Sequence, residues 1–200
     1  MVRHNSTPAS QRGNDPRVLK SNVDRLVMRA LRASHSKLMF ADSQGHHREV
    51  MVPRGLEATV LKGTRCYMNL EATVPELCAL LRPDQISVQR IERVNAYVST
   101  PKCGAPLHFD VRTVWIVQLF GSKTWMVGDA PAVEAPHRNC VAPADSDRVD
   151  YDGRPLRTPR KLETVVLSPG DWLMVPRAVW HRTYTTVGSV SVTLAAPESG

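Results

Sequence analysis

Helical periodicity is confined to the first third of this 200-residue chain. Val18, Val23, Leu26, Val27, Ala30 and Leu31 fall on one helical face. They predict an amphipathic helix that opens at Asp15-Pro16, the aspartate as cap and the proline at the first helical position, and ends near Ser34. Residues 1–14 before it are polar and without period, and read as a disordered arm. The runs "KLMF" and "REVMV" have strand character, with Gly45 and Gly55 marking turns. "TVPELCALLR" predicts a short helix over 73–82 with Thr73 as its cap. From Ile86 the pattern changes. "ISVQRI", "RVNAYVST", "PLHFD", "VWIVQLF", "TWMVG", "TVVLS", "DWLMVP", "WHRTYTT" and "SVSVTLA" are short, β-branched or aromatic, and bounded by Gly, Pro, Ser or Asp. So many short strands imply a mainly β sandwich or barrel of jelly-roll type, behind N-terminal helices. We expect one domain over residues 15–200. The stretch 129–161, rich in Pro, Asp and Arg, interrupts the rhythm and reads as a lid or a disordered insert.

Composition adds limits. A hydrophobic share of 42% fits a folded domain of this length. No apolar run approaches the roughly 18 residues of a membrane span. The first residues have no apolar core behind their charges, so a secretory leader is not expected and the cytoplasm is the expected compartment. Cys66, Cys78, Cys103 and Cys140 are scattered and form no CxxC pair, which predicts reduced packing thiols rather than a disulfide frame or a zinc knuckle. The net charge of +7 favours acidic partners, although an arginine-rich surface with no partner accounts for it equally well. No basic helix or aromatic-basic motif accompanies the charge, so a nucleic-acid partner is not expected.

The candidate chemistry begins in "PLHFDVRTVWIVQLFGSKTW". His108 and Asp110 stand two apart on a predicted strand and so share a face. An imidazole and a carboxylate from one strand, joined by a distant imidazole, make the facial triad of non-haem Fe(II) oxygenases, which leaves positions open for other ligands. The pair alone is common. "LSPGDWLMVPRAVWH" then supplies a Pro-Gly-Asp turn in which Asp171 can bond turn amides, an apolar strand ended by Pro176, and His181 at the start of the next strand. His181 is either the third ligand or a structural histidine beside Trp180.

With these pieces the chain resembles the JmjC-type, cupin-fold 2-oxoglutarate oxygenases, in particular the ribosomal-oxygenase-like and asparaginyl-hydroxylase-like branch. "NAYVSTPKCGAPLHFD", "VWIVQLFGSKTW", "LSPGDWLMVPRAVWH" and "SVSVTLA" carry the likeness, which covers most of residues 92–195. It implies a double-stranded β-helix holding Fe(II) through His108, Asp110 and His181, with 2-oxoglutarate as cosubstrate. It also gives Lys123 a role, pairing with the far carboxylate of 2-oxoglutarate, because an unpaired anion inside an apolar barrel is costly. The alternative for Lys123 is an exposed hairpin lysine. By resemblance Asn95, Tyr97 and Ser99 run beside the cosubstrate, and Ser189, Ser191 and Thr193 share the face of the last strand that floors the pocket. Gln118 either touches substrate or satisfies backbone. His4, His35, His46, His47 and His137 lack a carboxylate at useful spacing and read as surface residues, His137 on the lid. The four tryptophans read as barrel core, with Trp180 the candidate exception.

The activity implied is hydroxylation of an amino-acid side chain in a peptide, protein or free amino acid, with succinate and CO2 as co-products and histone-type demethylation as a variant. Larger relatives carry helical and winged-helix regions after the barrel. These 200 residues include neither, which favours a short peptide or a free amino acid, preferentially acidic, and leaves the oligomeric state open. A cupin metalloenzyme that does not use 2-oxoglutarate would share the triad but have no need of Lys123. A non-catalytic binding barrel would tolerate loss of a ligand position, and all three are filled.

Overall fold

The computed structural model describes residues 10–15, 23–41, 47–52, 62–76, 81 and 91–196. Its strands are β1 (Gln11–Asn14), β2 (Ser36–Ala41), β3 (His47–Val52), β4 (Thr64–Tyr67), β5 (Arg93–Ser99), β6 (His108–Phe109), β7 (Val114–Gly121), β8 (Lys123–Pro131), β9 (Cys140–Val141), β10 (Arg148–Tyr151), β11 (Arg154–Arg157), β12 (Glu163–Leu167), β13 (Asp171–Val175), β14 (Val179–Tyr184) and β15 (Ser189–Ala195). They form an eight-stranded sheet in the order β1-β13-β7-β15-β5-β4-β2-β3, a five-stranded sheet in the order β12-β8-β14-β6-β9, and the hairpin β10-β11. The pairing is antiparallel, and the strands expected from Arg93 onward are present as a jelly-roll barrel.

The central strands of the large sheet are buried on both faces, which is why they read as near-continuous apolar runs, whereas β3 and β12 keep exposed faces. Val114 and Ile116 of β7, Leu173 and Val175 of β13, and Ala195 of β15 pack across the barrel against Trp125, Val127, Val165, Leu167 and Val179 of the smaller sheet. The alternate residues of the large sheet, among them Val94, Ala96, Val117, Leu119, Trp172, Val192 and Leu194, point outward beneath helix α1 (Val23–Ala33). Val23, Val27 and Ala30 of that helix are the buried partners, spaced to form one stripe. The outer face of the smaller sheet is covered by a third cluster of Phe109, Cys140, Tyr151, Ala178 and Trp180.

Two expectations need correction. Residues 11–14 are not a free arm. They form β1 on the edge of β13, where Gly13 lies so close to Trp172 that a Cβ would come within 2.6 Å of its indole, and Asn14 Nδ2 donates to Asp171 Oδ1 at 2.8 Å. Backbone pairing holds this strand, so it needs no apolar period. The Asp15 N–H donates to the Gly170 carbonyl at 2.8 Å, within that edge; the expected helix start at Asp15-Pro16 runs into residues 16–22, which lie outside the described residues, and the described part of the helix starts at Val23. A short helix α2 (Leu70–Thr73) precedes the expected one, and the Thr73 hydroxyl donates back to the Leu70 carbonyl. Pro75 and Glu76 are helical, at the start expected for the helix over 73–82, whose remainder apart from Leu81 lies outside the described residues. Residues 129–161 are not featureless. They contain β9, β10 and β11, and Tyr151 packs on Phe109, so these strands gain their burial from the barrel wall rather than from a period of their own. The start of the arm and most of "ISVQRI" lie outside the described residues.

The connection from Pro101 to Pro106 positions the site. It lies across the end of β14 through Lys102 N to Thr185 O at 2.8 Å, Thr185 N to Cys103 O at 2.9 Å, Thr183 N to Ala105 O at 3.1 Å, and Ala105 N to Thr183 Oγ1 at 2.8 Å. Only glycine fits at 104, since a Cβ there would stand 1.9 Å from the Thr183 carbonyl oxygen. Backbone cannot swing aside as a side chain can. Gly104→Ala should therefore cost about 1–3 kcal/mol or more, read as a lower midpoint in chemical denaturation, and should loosen the strand that follows.

Candidate metal centre

β6 is only two residues long, and its pairing with β14 sets His108 directly opposite His181. Their ring centroids lie 4.2 Å apart. Asp110 follows β6 in a turn pinned by Ala178 N to its carbonyl at 2.8 Å, and by Val111 N to Asn139 Oδ1 at 2.8 Å. One ligand atom from each of His108, Asp110 and His181 lies within 4.8 Å of the others. The three residues predicted from two distant segments thus converge.

The histidines are pre-set for coordination through Nε2. Nδ1 of His108 lies 2.8 Å from the Pro106 carbonyl, and Nδ1 of His181 lies 2.9 Å from the Val179 carbonyl. A carbonyl only accepts, so each Nδ1 carries a proton, the tautomer that directs Nε2 to a metal. Nε2 of His181 stands 3.6 Å from Asp110 Oδ2. Burial and the neighbouring His108 push the His181 pKa down to about 4, which keeps the imidazole neutral and able to ligate at ordinary pH. Two imidazoles and a carboxylate suit a first-row divalent metal such as Fe(II).

The triad opens on a cavity of about 320 Å³ that is also lined by Thr64, Tyr97, Lys123, Trp125, Asn139, Ser191 and Thr193. Lys123 is 3% exposed, so the reading as a surface hairpin lysine does not hold. Its Nζ has one partner, Ser191 Oγ at 3.3 Å, and among the described residues no carboxylate pairs with it. Desolvation lowers its pKa to about 8. A buried ammonium with donors to spare is a ready seat for a small anion.

The remaining sequence candidates divide. Tyr97 and Ser191 line the cavity and are cross-strand neighbours, Tyr97 opposite Ser191. Asn95 lines an adjoining recess of about 190 Å³ and accepts from the Asn69 N–H. Ser99 is taken up by Thr64 at 3.0 Å and reaches neither cavity. Gln118 donates to the Phe120 carbonyl at 2.7 Å, so it satisfies backbone. Trp180, neighbour of His181 in sequence, necessarily points the other way and packs edge-on against Phe109 at 4.9 Å. Trp125 is the aromatic residue at the centre, with its ring stacked on His181 at 5.6 Å. The spacing offered that signal, because Lys123, Trp125 and Val127 share a face of β8. His47, expected on the surface, lines the cavity mouth with Lys37 and Glu49, which are joined at 2.8 Å. His137 pairs with Asp152 at 2.8 Å, away from the cavity.

Sequence comparison agrees with this geometry. A family model described as the JmjC domain matches residues 78–199. The chain belongs to the JmjC domain family. This JmjC chain is also 27% identical over 129 residues to the Jumonji C domain-containing protein 5 of Drosophila melanogaster, covering 61% of this chain and 31% of that protein. Among solved structures, E. coli YcfD superposes with a TM-score of 0.65 at 19% identity, covering 99% of this chain and 52% of that one. A structure of YcfD described as a ribosomal oxygenase in complex with cobalt and 2-oxoglutarate superposes with a TM-score of 0.63 at 17% identity, covering 96% and 48%. The JmjC chain thus spans about half the length of YcfD and about a third of the fly protein. Among the described residues, no helix is long and apolar enough to cross a membrane.

The buried amine makes a stability prediction. Below about pH 8 Lys123 is charged in both the folded and the unfolded chain, and its burial penalty is present in full. Between about 8 and the ordinary 10.5 the folded protein sheds the proton first, so stability rises with pH across that window. Lys123→Met should stabilise the ligand-free protein at pH 7 by on the order of 2–3 kcal/mol and flatten the alkaline rise, measured by denaturant titrations at pH 7 and pH 10.

Proposed function

We propose that this chain is an Fe(II)- and 2-oxoglutarate-dependent oxygenase that hydroxylates an amino-acid side chain in a peptide, protein or free amino acid. Succinate and CO2 are the co-products. The observation that carries the reading is the pairing, in one cavity, of the His108, Asp110 and His181 cluster with a buried ammonium that has no carboxylate partner among the described residues. YcfD bound to cobalt and 2-oxoglutarate supports it by likeness of fold.

In this reading His108, Asp110 and His181 hold Fe(II), and Lys123 takes the far carboxylate of 2-oxoglutarate while Ser191 steadies the amine. Bound together, metal and cosubstrate supply the oxidative decarboxylation that activates oxygen. The protein's part is placement. The Nδ1 bonds to Pro106 and Val179 fix both imidazole planes. Trp125 closes one side of His181 and Val114 lines the same space, so water is displaced from the oxidising position. The neutral His181 and the anionic Asp110 give the donor set a net single negative charge, well matched to a divalent ion. Tyr97, with its phenol held protonated by the nearby Cys66 and by burial, and Thr64 add hydrogen-bonding groups to the wall.

The test is succinate release from 2-oxoglutarate with Fe(II) and ascorbate, together with calorimetric binding of Mn(II). Asp110→Ala should weaken Mn(II) binding by at least about a hundredfold and abolish turnover, as should EDTA. Lys123→Ala should raise the KM for 2-oxoglutarate by about ten- to a hundredfold, the worth of one charge-assisted bond, with turnover returning at high cosubstrate. Mn(II) binding without any succinate formation would instead favour a cupin metalloenzyme of another class, and succinate formation indifferent to Lys123→Ala would remove Lys123 as the partner of the far carboxylate.

A further inference from the structure

The metal cavity is not isolated. It continues through Met39, His47, Ala105, Pro106, Val141 and Thr183, which line both spaces, into an open groove of about 980 Å³. A free amino acid is accommodated by the inner cavity alone, and the outer groove is at the upper end of what ligand clefts occupy. Its two long walls come from opposite sources, the edge of the N-terminal strands on one side and the 141–158 segment on the other.

The charge of this groove is one-signed. Lys62, Lys102 and Arg182 line it, and among the described lining residues there is no aspartate or glutamate. Among the described residues none of these three cations meets a carboxylate; Arg182 rests its Nε on the Met126 sulfur at 2.9 Å. Elsewhere cations are matched, as in Arg29 with Glu76, Arg112 with Glu92 and Arg138 with Asp152. Of the two acids among the described residues that line the inner cavity, Asp110 belongs to the triad and Glu49 is already held by Lys37 and His47. Asp145 and Asp147 flank Ser146 on the outer wall without lining the groove. Lys102 is also held in the left-handed backbone region at φ 62°, a conformation that costs free energy and that the bond to Thr185 enforces. The strain presents its side chain at the groove.

We propose that this groove is a peptide-binding cleft that takes an extended segment bearing acidic side chains, recognised by Lys62, Lys102 and Arg182, and so delivers one residue of that segment to the metal centre. The occupant is a peptide or an exposed protein segment rather than a free amino acid. What happens to the delivered residue rests on the oxygenase reading above; the binding preference does not.

The experiment uses the full chain loaded with Mn(II) and 2-oxoglutarate and three fluorescein-labelled decapeptides, one rich in Asp and Glu, one in Ser and Gln, one in Lys and Arg. Anisotropy titrations should give the acidic peptide at least tenfold tighter binding than either of the others, weakening as salt rises. The triple variant Lys62→Glu, Lys102→Glu, Arg182→Glu should lose at least tenfold for the acidic peptide. Arg25→Glu, Arg32→Glu, Arg154→Glu, which makes the same charge change on α1 and β11, should stay within threefold of the parent. Should the groove triple fail to fold, the single changes Lys102→Gln and Arg182→Gln carry the test, each expected to weaken binding about threefold. Equal affinity for all three peptides, or equal loss in both triples, overturns the proposal, the second outcome by assigning the effect to overall charge. Calorimetry of Mn(II) and 2-oxoglutarate on the parent separates the two ideas. Peptide preference without metal or 2-oxoglutarate binding leaves the cleft standing and removes the oxygenase, and the reverse result does the opposite.

Discussion

The closure of the smaller sheet by β6 on β14 is the contact from which the site follows. Two residues of β6 are too few to persist as a strand alone, and they are held because the 101–106 connection is bonded along β14 and because β9 pairs on their far side. That closure fixes His108 opposite His181 and carries Asp110 into the next turn. A slip of one residue would exchange His108 for Phe109, leaving a benzyl ring inside the cavity and an imidazole in the outer cluster. The register is therefore held by two burial demands at once: Phe109 has to meet Trp180 and Tyr151 outside, as His108 has to meet His181 inside.

The same alternation explains how a polar cavity survives in a barrel whose central strands are buried on both faces. On β15 Val192 and Leu194 serve the outer cluster while Ser191 and Thr193 face inward; on β8 Lys123 and Trp125 face inward from the hairpin. The inward polar residues come from β4, β5, β15 and the start of β8, and Ile116, Val165, Leu167 and Leu173 of β7, β12 and β13 fill the rest of the interior. A site built this way works against stability. The lysine amine is desolvated with one neutral hydroxyl for company, so the ligand-free fold carries a penalty that a bound anion removes. Ligand binding and folding are linked through that side chain.

Much of this was legible in the sequence because the relevant signals are local. His108 and Asp110 are two apart on a strand, and Asp171 does bond a turn amide, Ser168 N to its Oδ2 at 2.8 Å, just where the Pro-Gly-Asp pattern placed it. What was missed depends on pairing between distant segments. Nothing in "QRGN" announces a strand, since β1 exists only against the edge of β13. The strands of 129–161 bury Cys140 and Tyr151 in the cluster with Phe109 and Trp180, a requirement set by the barrel wall that leaves no period in the segment. Thr64, Asn139 and His47 enter the cavity wall from segments far from the motif, and no spacing rule relates them to it. Trp180 misled because adjacency in sequence is opposition in a strand.

The arrangement along β14 ties recognition to chemistry. His181 is a candidate ligand, Thr183 borders both cavity and groove, and Thr185 holds the backbone of Lys102. From 181 to 185 the strand advances four steps, roughly 13 Å at the usual rise. An extended peptide has nearly the same rise, so a cation anchored at Thr185 would be matched by an acid about four positions from the residue that reaches the metal. Because the Lys102 backbone is bonded to Thr185, next to the end of β14, that spacing is set by the strand to which the connection is tied. The proposed cleft would then discriminate by where an acid lies along the peptide, and not merely by how much negative charge the peptide carries.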